Sequence, residues 1–198
     1  LVEGIIRSLD SGLLSATASN SEASSGADVI VVIVPMYVDE NGVPDYSILE
    51  SASRDIGAVL TPGQTVIYET TLPVGATRSR LAPVLEESSG LTAGEDFHVV
   101  HSPERVFSGR IFEDLKSYPK IVGGLTPLCG QIAVSFYEAV LNFDERPDLA
   151  QPNGVWDLGS VEAAEFTKLA ETTYRDVNIA LANEFGDFAE RLGVDVYQ

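Results

Sequence analysis

Lys168, Thr172 and Arg175 stand four and three residues apart inside residues 161–184, a stretch that reads as one long helix. Steps of three and four return to the same side of a helix, so an ammonium, a hydroxyl and a guanidinium would be presented together. The chain has three lysines in all, and one framed in this way is a candidate for chemistry rather than solubility. The competing reading is an exposed charged face on a bundle helix. A different side of the same helix carries Phe166, Leu169, Thr173, Val177, Leu181, Phe185, Phe188 and Leu192, again three or four apart, and predicts an apolar stripe.

Two segments that follow apolar runs also carry chemistry-bearing groups, and the ends of parallel strands are where ligands sit. In Glu69-Thr-Thr-Leu-Pro-Val-Gly-Ala-Thr77, two hydroxyls, a proline and a glycine lead into a helix, whose backbone N–H groups would be offered to a polar ligand. An ordinary N-cap shaped by Pro73 explains the same residues. In His101-Ser-Pro-Glu-Arg-Val-Phe-Ser-Gly109, Glu104 and Arg105 are candidates for a general base and an anion clamp. They read equally as an exposed ion pair on a surface loop. His98 and His101 lie three apart on a strand and so point to opposite faces, which is poor metal geometry; no metal is assigned. Asp39-Glu-Asn-Gly42 is an acidic turn without the later ligands of a calcium loop. Cys129 lies in the first turn of a helix, where a thiolate is favoured, yet no base is identifiable beside it, and a structural thiol is expected.

The elements that must hold these groups follow from local pattern. Residues 1–13 read as the end of an amphipathic helix, with Val2, Ile5, Ile6 and Leu9 on one face and Gly12 at its exit. A short strand is read over 15–18. Residues 29–34 are apolar on both faces, as in a buried parallel strand. A helix follows over 46–60, then a turn at Thr61-Pro-Gly-Gln and a strand over 65–70. Further elements are a helix over 74–87, strands over 97–101 and 120–124, and a helix opened by Thr126 with Pro127 at its first position. This alternation indicates a parallel sheet in the α/β class. Residues 142–153, polar and with two prolines, read as a linker. The long helix would run over 160–192, about 50 Å. Helices of that length bridge domains or build an oligomer interface, and a homodimer through it is expected. Residues 193–198 read as a helix exit toward an absent element, and the chain as a fragment cut at both ends.

With 198 residues, 44% of them hydrophobic, the chain suits a soluble globular protein with a proper core. The net charge of −18 argues against a nucleic-acid surface. It also means that any anionic nucleotide must be held by local positive groups or helix N-termini. The longest apolar run, 29–34, is too short to span a bilayer, and no leader opens the chain. One cysteine rules out an intramolecular disulfide and agrees with a reducing cytoplasm.

Ser102-Pro-Glu-Arg-Val, the Gly123-Gly-Leu-Thr-Pro127 turn and Lys168-Leu-Ala-Glu-Thr-Thr-Tyr-Arg-Asp-Val-Asn-Ile-Ala-Leu-Ala-Asn-Glu184 together resemble the UDP-glucose/GDP-mannose dehydrogenase family. The variety they are most similar to is the UDP-N-acetyl-mannosamine, or related N-acetyl-hexosamine, 6-dehydrogenases. The resemblance implies the latter part of a Rossmann-like NAD-binding domain over 1–150 and the start of an all-α central domain over 151–198. It implies two successive oxidations of a UDP-sugar C6 alcohol to the carboxylate with two NAD+, in the service of surface polysaccharide synthesis. On that likeness Thr70, Thr71 and Leu72 would touch NAD, with Pro35 at the strand end on the adenosine side. Glu104 would handle protons and the hydrolytic water, and Arg105, Val106, Thr172 and Arg175 would line the substrate site. Lys168 would donate a proton and stabilise negative charge on the C6 oxygen. The family's Gly-rich phosphate loop would precede residue 1 and its nucleophilic cysteine would follow residue 198, so the isolated chain is expected to show no turnover. Thr172 stands where the family has asparagine, and Val34 where it usually has threonine. Rival readings are a non-catalytic, dehydrogenase-derived binding or oligomerisation module, and a relative of the 6-phosphogluconate or 3-hydroxyacid dehydrogenases, which share the lysine helix but not Ser102-Pro-Glu-Arg.

Overall fold

The structure is a computed structural model that describes residues 2–196. Leu1 of the predicted first helix, and Tyr197 and Gln198 of the predicted helix exit, lie outside the described residues. The first helix, α1 (Val2–Asp10), forms as its pattern requires and turns out through Gly12 at φ +73°. No strand forms over 15–18. The Thr17 hydroxyl there accepts from Ser19 N at 3.2 Å and donates to Glu22, and Ser19 caps α2 (Asn20–Ser24). These hydroxyls serve a helix start instead of a sheet ladder.

Strand β1 (Val29–Val32) is followed by a small hairpin, β2 (Tyr37–Val38) and β3 (Pro44–Asp45). The acidic turn closes that hairpin: Asp39 Oδ1 accepts from Asn41 N and Val43 N, each at 2.8 Å. Helix α3 (Ser47–Gly57) and strand β4 (Thr65–Tyr68) come next. The helix expected over 74–87 begins with a widened π turn, Thr77–Leu81, before α4 (Ala82–Ser89). That turn closes from Ala82 N to Thr77 O, and Pro83, which has no N–H to give, follows directly in the first turn of α4. The remaining elements are β5 (His98–His101), α5 (Ile111–Ser117), β6 (Lys120–Gly124), α6 (Pro127–Val140), β7 (Val155–Asp157) and α7 (Val161–Arg191). Thr126 accepts from Cys129 N to cap α6, with Pro127 first in the helix, and Ser160 accepts from Ala163 N to cap α7.

Five strands form one sheet in the order β1-β4-β5-β6-β7. The first three are parallel, while β6 runs antiparallel to β5, with His101 opposite Gly123, and β7 is parallel to β6. The class is α/β, and the reversal brings the start of β6 to the edge where β4 and β5 end. Alternation on the strands divides the core. Val66, Tyr68 and Val99 face α3 and α4 on one side, and Ile67, Val100 and Val122 face α6 on the other. The strand expected to be buried on both faces differs from that reading: β1 is the sheet edge, Val31 is 40% exposed and Ile33, just past its end, 72%. Gly123 and Gly124 end β6, and both need to lack a side chain. A Cβ on the first would overlap Ser160 O and the Ala164 methyl of α7, and one on the second the backbone of α6. Only the first turns of α7 are buried, through Val161, Ala164 and Glu165; the stripe bearing Phe185 and Phe188 is exposed.

Candidate active site

The loop after β4 and the loop after β5 reach the same edge of the sheet, and α7 lies across both. In the first loop, Gly75 N donates to Glu165 Oε2 at 2.6 Å and Thr77 N to Glu165 Oε1 at 2.8 Å. The amides expected to be offered to a ligand are therefore taken by a carboxylate of the chain itself. A helix start attracts an anion, and α7 brings one to it. Glu165 is fully buried, and burial pushes its carboxyl above the ordinary value although Thr77 and Gly75 pull the other way. Arg78 adds a surface tie, donating to Glu162 at 2.5 Å and to Leu125 O at 3.3 Å.

The second loop is held by its own backbone and by α7. Glu104 N donates to Glu69 O at 3.0 Å, and Ser102 Oγ to Ile121 O at 2.8 Å. Glu104 Oε1 accepts from Arg105 N at 2.5 Å and Val106 N at 2.7 Å. The Glu104 and Arg105 side chains do not pair with each other. Arg105 makes a two-pronged bond to Glu171 of α7, 2.8 Å on each prong, and a third to Pro119 O at 3.0 Å. Neighbours on a loop point apart, and the carboxylate that meets Arg105 is 66 residues away. Beneath this loop lies a buried network. Lys120 Nζ donates to Glu69 Oε1 at 2.6 Å, Tyr137 OH donates to the same oxygen, and Lys120 sits 4.7 Å over the Tyr137 ring. Burial, then the Glu69 charge, pushes the Tyr137 hydroxyl up.

Lys168 borders a cleft of about 240 Å³ between α7, which contributes Thr172 and Arg175 as well, and Arg105, Phe107 and Tyr118 opposite. Partial burial lowers its ammonium below the usual lysine value, with the carboxylates of Glu171 and then Glu104 opposing. Glu104 is thus in electrostatic reach of Lys168. With Val106 it lines a second, small cavity, and Arg105 borders both. The Thr172 hydroxyl turns back to its own helix, donating to Lys168 O at 2.8 Å. Arg175 lies 5.2 Å over the Phe107 ring. The Arg105 partnership holds the Glu171 carboxyl below its usual range.

On the other side of the first loop, the Thr70 hydroxyl donates to Val34 O at 2.6 Å, joining the segment of Pro35 to the end of β4. Pro35 is exposed and Thr71 half-buried. The Leu72 side chain is in the core, so a ligand would meet that residue through its backbone. A cleft of about 300 Å³ beside Val34 is lined by Asn20, Ser47 and Ser51 among others.

The two histidines face opposite sides of β5. His101 is fully buried with neither ring nitrogen hydrogen-bonded among the described residues, and burial, then the Lys120 charge, lowers it to about 4. His98 Nδ1 lies 3.8 Å from Cys129 Sγ, so a base does stand beside the thiol; strand β5 supplies it from 31 residues away, which no local pattern reveals. Among the described residues no cluster of three His, Cys, Asp or Glu could hold a metal ion. The sequence reading missed Glu165, Glu171, Lys120 and the side-chain role of Glu69. One signal was present: Glu165 and Glu171 stand three before and three after Lys168, on its side of the helix.

Known proteins share this fold. Residues 1–141 match the NAD binding domain of the UDP-glucose/GDP-mannose dehydrogenase family, and residues 162–198 match that family's central domain. A UDP-N-acetyl-D-mannosamine dehydrogenase of Pyrococcus horikoshii is 39% identical over 179 residues, covering 89% of this chain and 39% of its own length. A solved structure of the UDP-D-ManNAc dehydrogenase of that organism superposes with a TM-score of 0.79 at 37% identity, over 89% of this chain and 39% of the other. A UDP-glucose dehydrogenase of Pyrobaculum islandicum gives 0.81 at 28% identity, over 98% and 43%. The chain spans about two fifths of the length of the curated relatives it matches. Both matches fall to one family, the first over most of the sheet and the second on the clamped helix, and the chain belongs to the UDP-glucose/GDP-mannose dehydrogenase family.

Proposed function

We propose that the complete protein is a cytoplasmic, NAD-dependent 6-dehydrogenase that oxidises the C6 alcohol of UDP-N-acetyl-mannosamine, or a related UDP-N-acetyl-hexosamine, to the uronic acid for surface polysaccharide synthesis. Relatives bearing such names support the substrate class. One observation carries the reading: α7 delivers Lys168 into a cleft bounded by the loop after β5, within the electrostatic reach of Glu104.

In this reading residues 1–150 bind NAD and 151–198 begin the helical domain, and two copies join through the exposed stripe of α7. The cleft beside Val34 offers an amide and hydroxyls and no carboxylate, which suits the base and ribose of NAD. Thr70 is tied to Val34 O at its margin, and in this reading Pro35, Thr70, Thr71 and the Leu72 backbone meet the cofactor beyond that lining. NAD, when bound, supplies the hydride acceptor. The Lys168 ammonium, partly stripped of water, stabilises negative charge as it develops on the C6 oxygen. Glu104 spends Oε1 on two backbone amides, which leaves Oε2 to take a proton from the alcohol or from water. Arg105 borders both cavities, Val106 lines the smaller one, and Thr172 and Arg175 line the α7 side of the larger.

The test is NADH formation by the purified complete protein with NAD+ and a panel of UDP-N-acetyl-hexosamines. Two NADH per sugar are expected; no NADH with any member of the panel overturns the reading.

A further inference from the structure

We propose that Glu165 is the positioning residue of Lys168: bound between the amides of Gly75 and Thr77, its carboxylate sets where α7 stands along and around its own axis, and hence where the ammonium meets the cleft. The proposal rests on the functional reading above for the importance of Lys168, and on geometry for the rest.

Lys168 follows Glu165 by three residues, a rise of about 4.5 Å on nearly the same side of the helix. Any slide or roll of α7 at Glu165 is therefore passed to Lys168 almost undiminished. The apolar contacts at this end, Val161 and Ala164, supply burial without fixing register, because hydrocarbon contacts are non-directional. Two hydrogen bonds accepted by one carboxylate from two amides of a helix start restrict both translation and rotation. A carboxylate is an expensive way to fill a buried site, and the raised value of Glu165 reflects that cost. Its return is direction. The other ties of α7, Glu162 to Arg78 and Glu171 to Arg105, each leave a third or more of the carboxylate side chain in water. Among the described residues Glu165 is the tie that solvent cannot loosen. It is also the one that joins α7 to the loop of Thr70–Leu72, so it sets the separation between Lys168 and the segment assigned to NAD.

The three lysines make the test selective, because each Nζ can be followed by NMR, with buried Lys120 as the internal control. Glu165→Asp keeps the charge but shortens the reach by about 1.5 Å. Glu165→Gln sets an NH2 against one of the two amides. Both should shift the Lys168 resonance and its titration midpoint, which Glu171, Glu104, Arg105 and Arg175 also shape, while leaving Lys120 in place. In the complete protein, kcat should fall by about a hundredfold, as expected for a reacting group displaced by an ångström, with little change in KM for NAD. A Lys168 signal that stays put while the Gly75 and Thr77 amides shift would overturn the proposal. If neither variant folds, Glu165 is a folding residue and the proposal also fails. A wild-type protein without dehydrogenase activity would sink the functional reading, while the Lys168 resonances still decide the role of Glu165.

Discussion

The loops over 69–77 and 102–107 leave neighbouring parallel strands, and each meets a carboxylate of α7: Glu165 for the first, Glu171 for the second. The first tie is buried and uses backbone amides as donors. The second is half in water, with the Glu171 side chain 47% exposed, and uses a long, movable guanidinium. A backbone donor has no rotamers to change, whereas an arginine can let go and swing. The first tie therefore defines the position of α7, and the second can yield to an incoming anion without undocking the helix. Lys168 stands between them.

Replacing the group that both loops frame should have the largest effect: Lys168→Met is expected to lower kcat of the complete protein by about 10²–10³. An unchanged rate would mean that the ties frame nothing. Among stability effects, Glu165→Ala strips two buried amides of their acceptor, and urea unfolding of the chain should show a loss of about 2–4 kcal/mol. A loss below that of Glu171→Ala would reverse the ranking of the two ties. Gly123→Ala forces a methyl group against Ser160 and Ala164. It should cost about 1–3 kcal/mol and loosen the α7 amides in hydrogen exchange.

Acid should separate the ties by sign. The folded value of Glu165 is raised, so the pH-dependent part of its contribution is fullest below the ordinary carboxyl value and is lost as pH rises through the folded one, while the two amide bonds remain. Glu171 is lowered, so its contribution is present above the ordinary value and lost as pH falls through the folded one. Unfolding of Glu165→Gln and Glu171→Gln across the acidic range, each against wild type, should give differences that slope in opposite directions. Smallest of all, Glu171→Ala should cost no more than about 1 kcal/mol, and less in high salt.

Features with a local cause were legible in the sequence. The cap and proline at Thr126-Pro127 and the unbroken length of α7 each depend on residues a few positions apart. The direction of β6 was not legible, because it is set by which strand it bonds to. Residues 29–32 form the expected parallel strand, but its place at the edge of this sheet was not legible: composition reports what a strand can bury, and the neighbouring layers decide what it does. In the site, α7 brings Lys168, Thr172 and Arg175 to one cleft, as helical spacing requires. The occupant of the first loop could not be read, since Gly75 and Glu165 are 90 residues apart.

Past Glu165 the helix continues to Arg191, about 39 Å further at 1.5 Å per residue. A rod gripped at its root magnifies angles: roughly five degrees of tilt there swings the tip by about 3.4 Å over that length. The carboxylate wedged under the first turns is thus a fulcrum, and the far phenylalanines trace on an enlarged scale whatever strain reaches the two amides it holds.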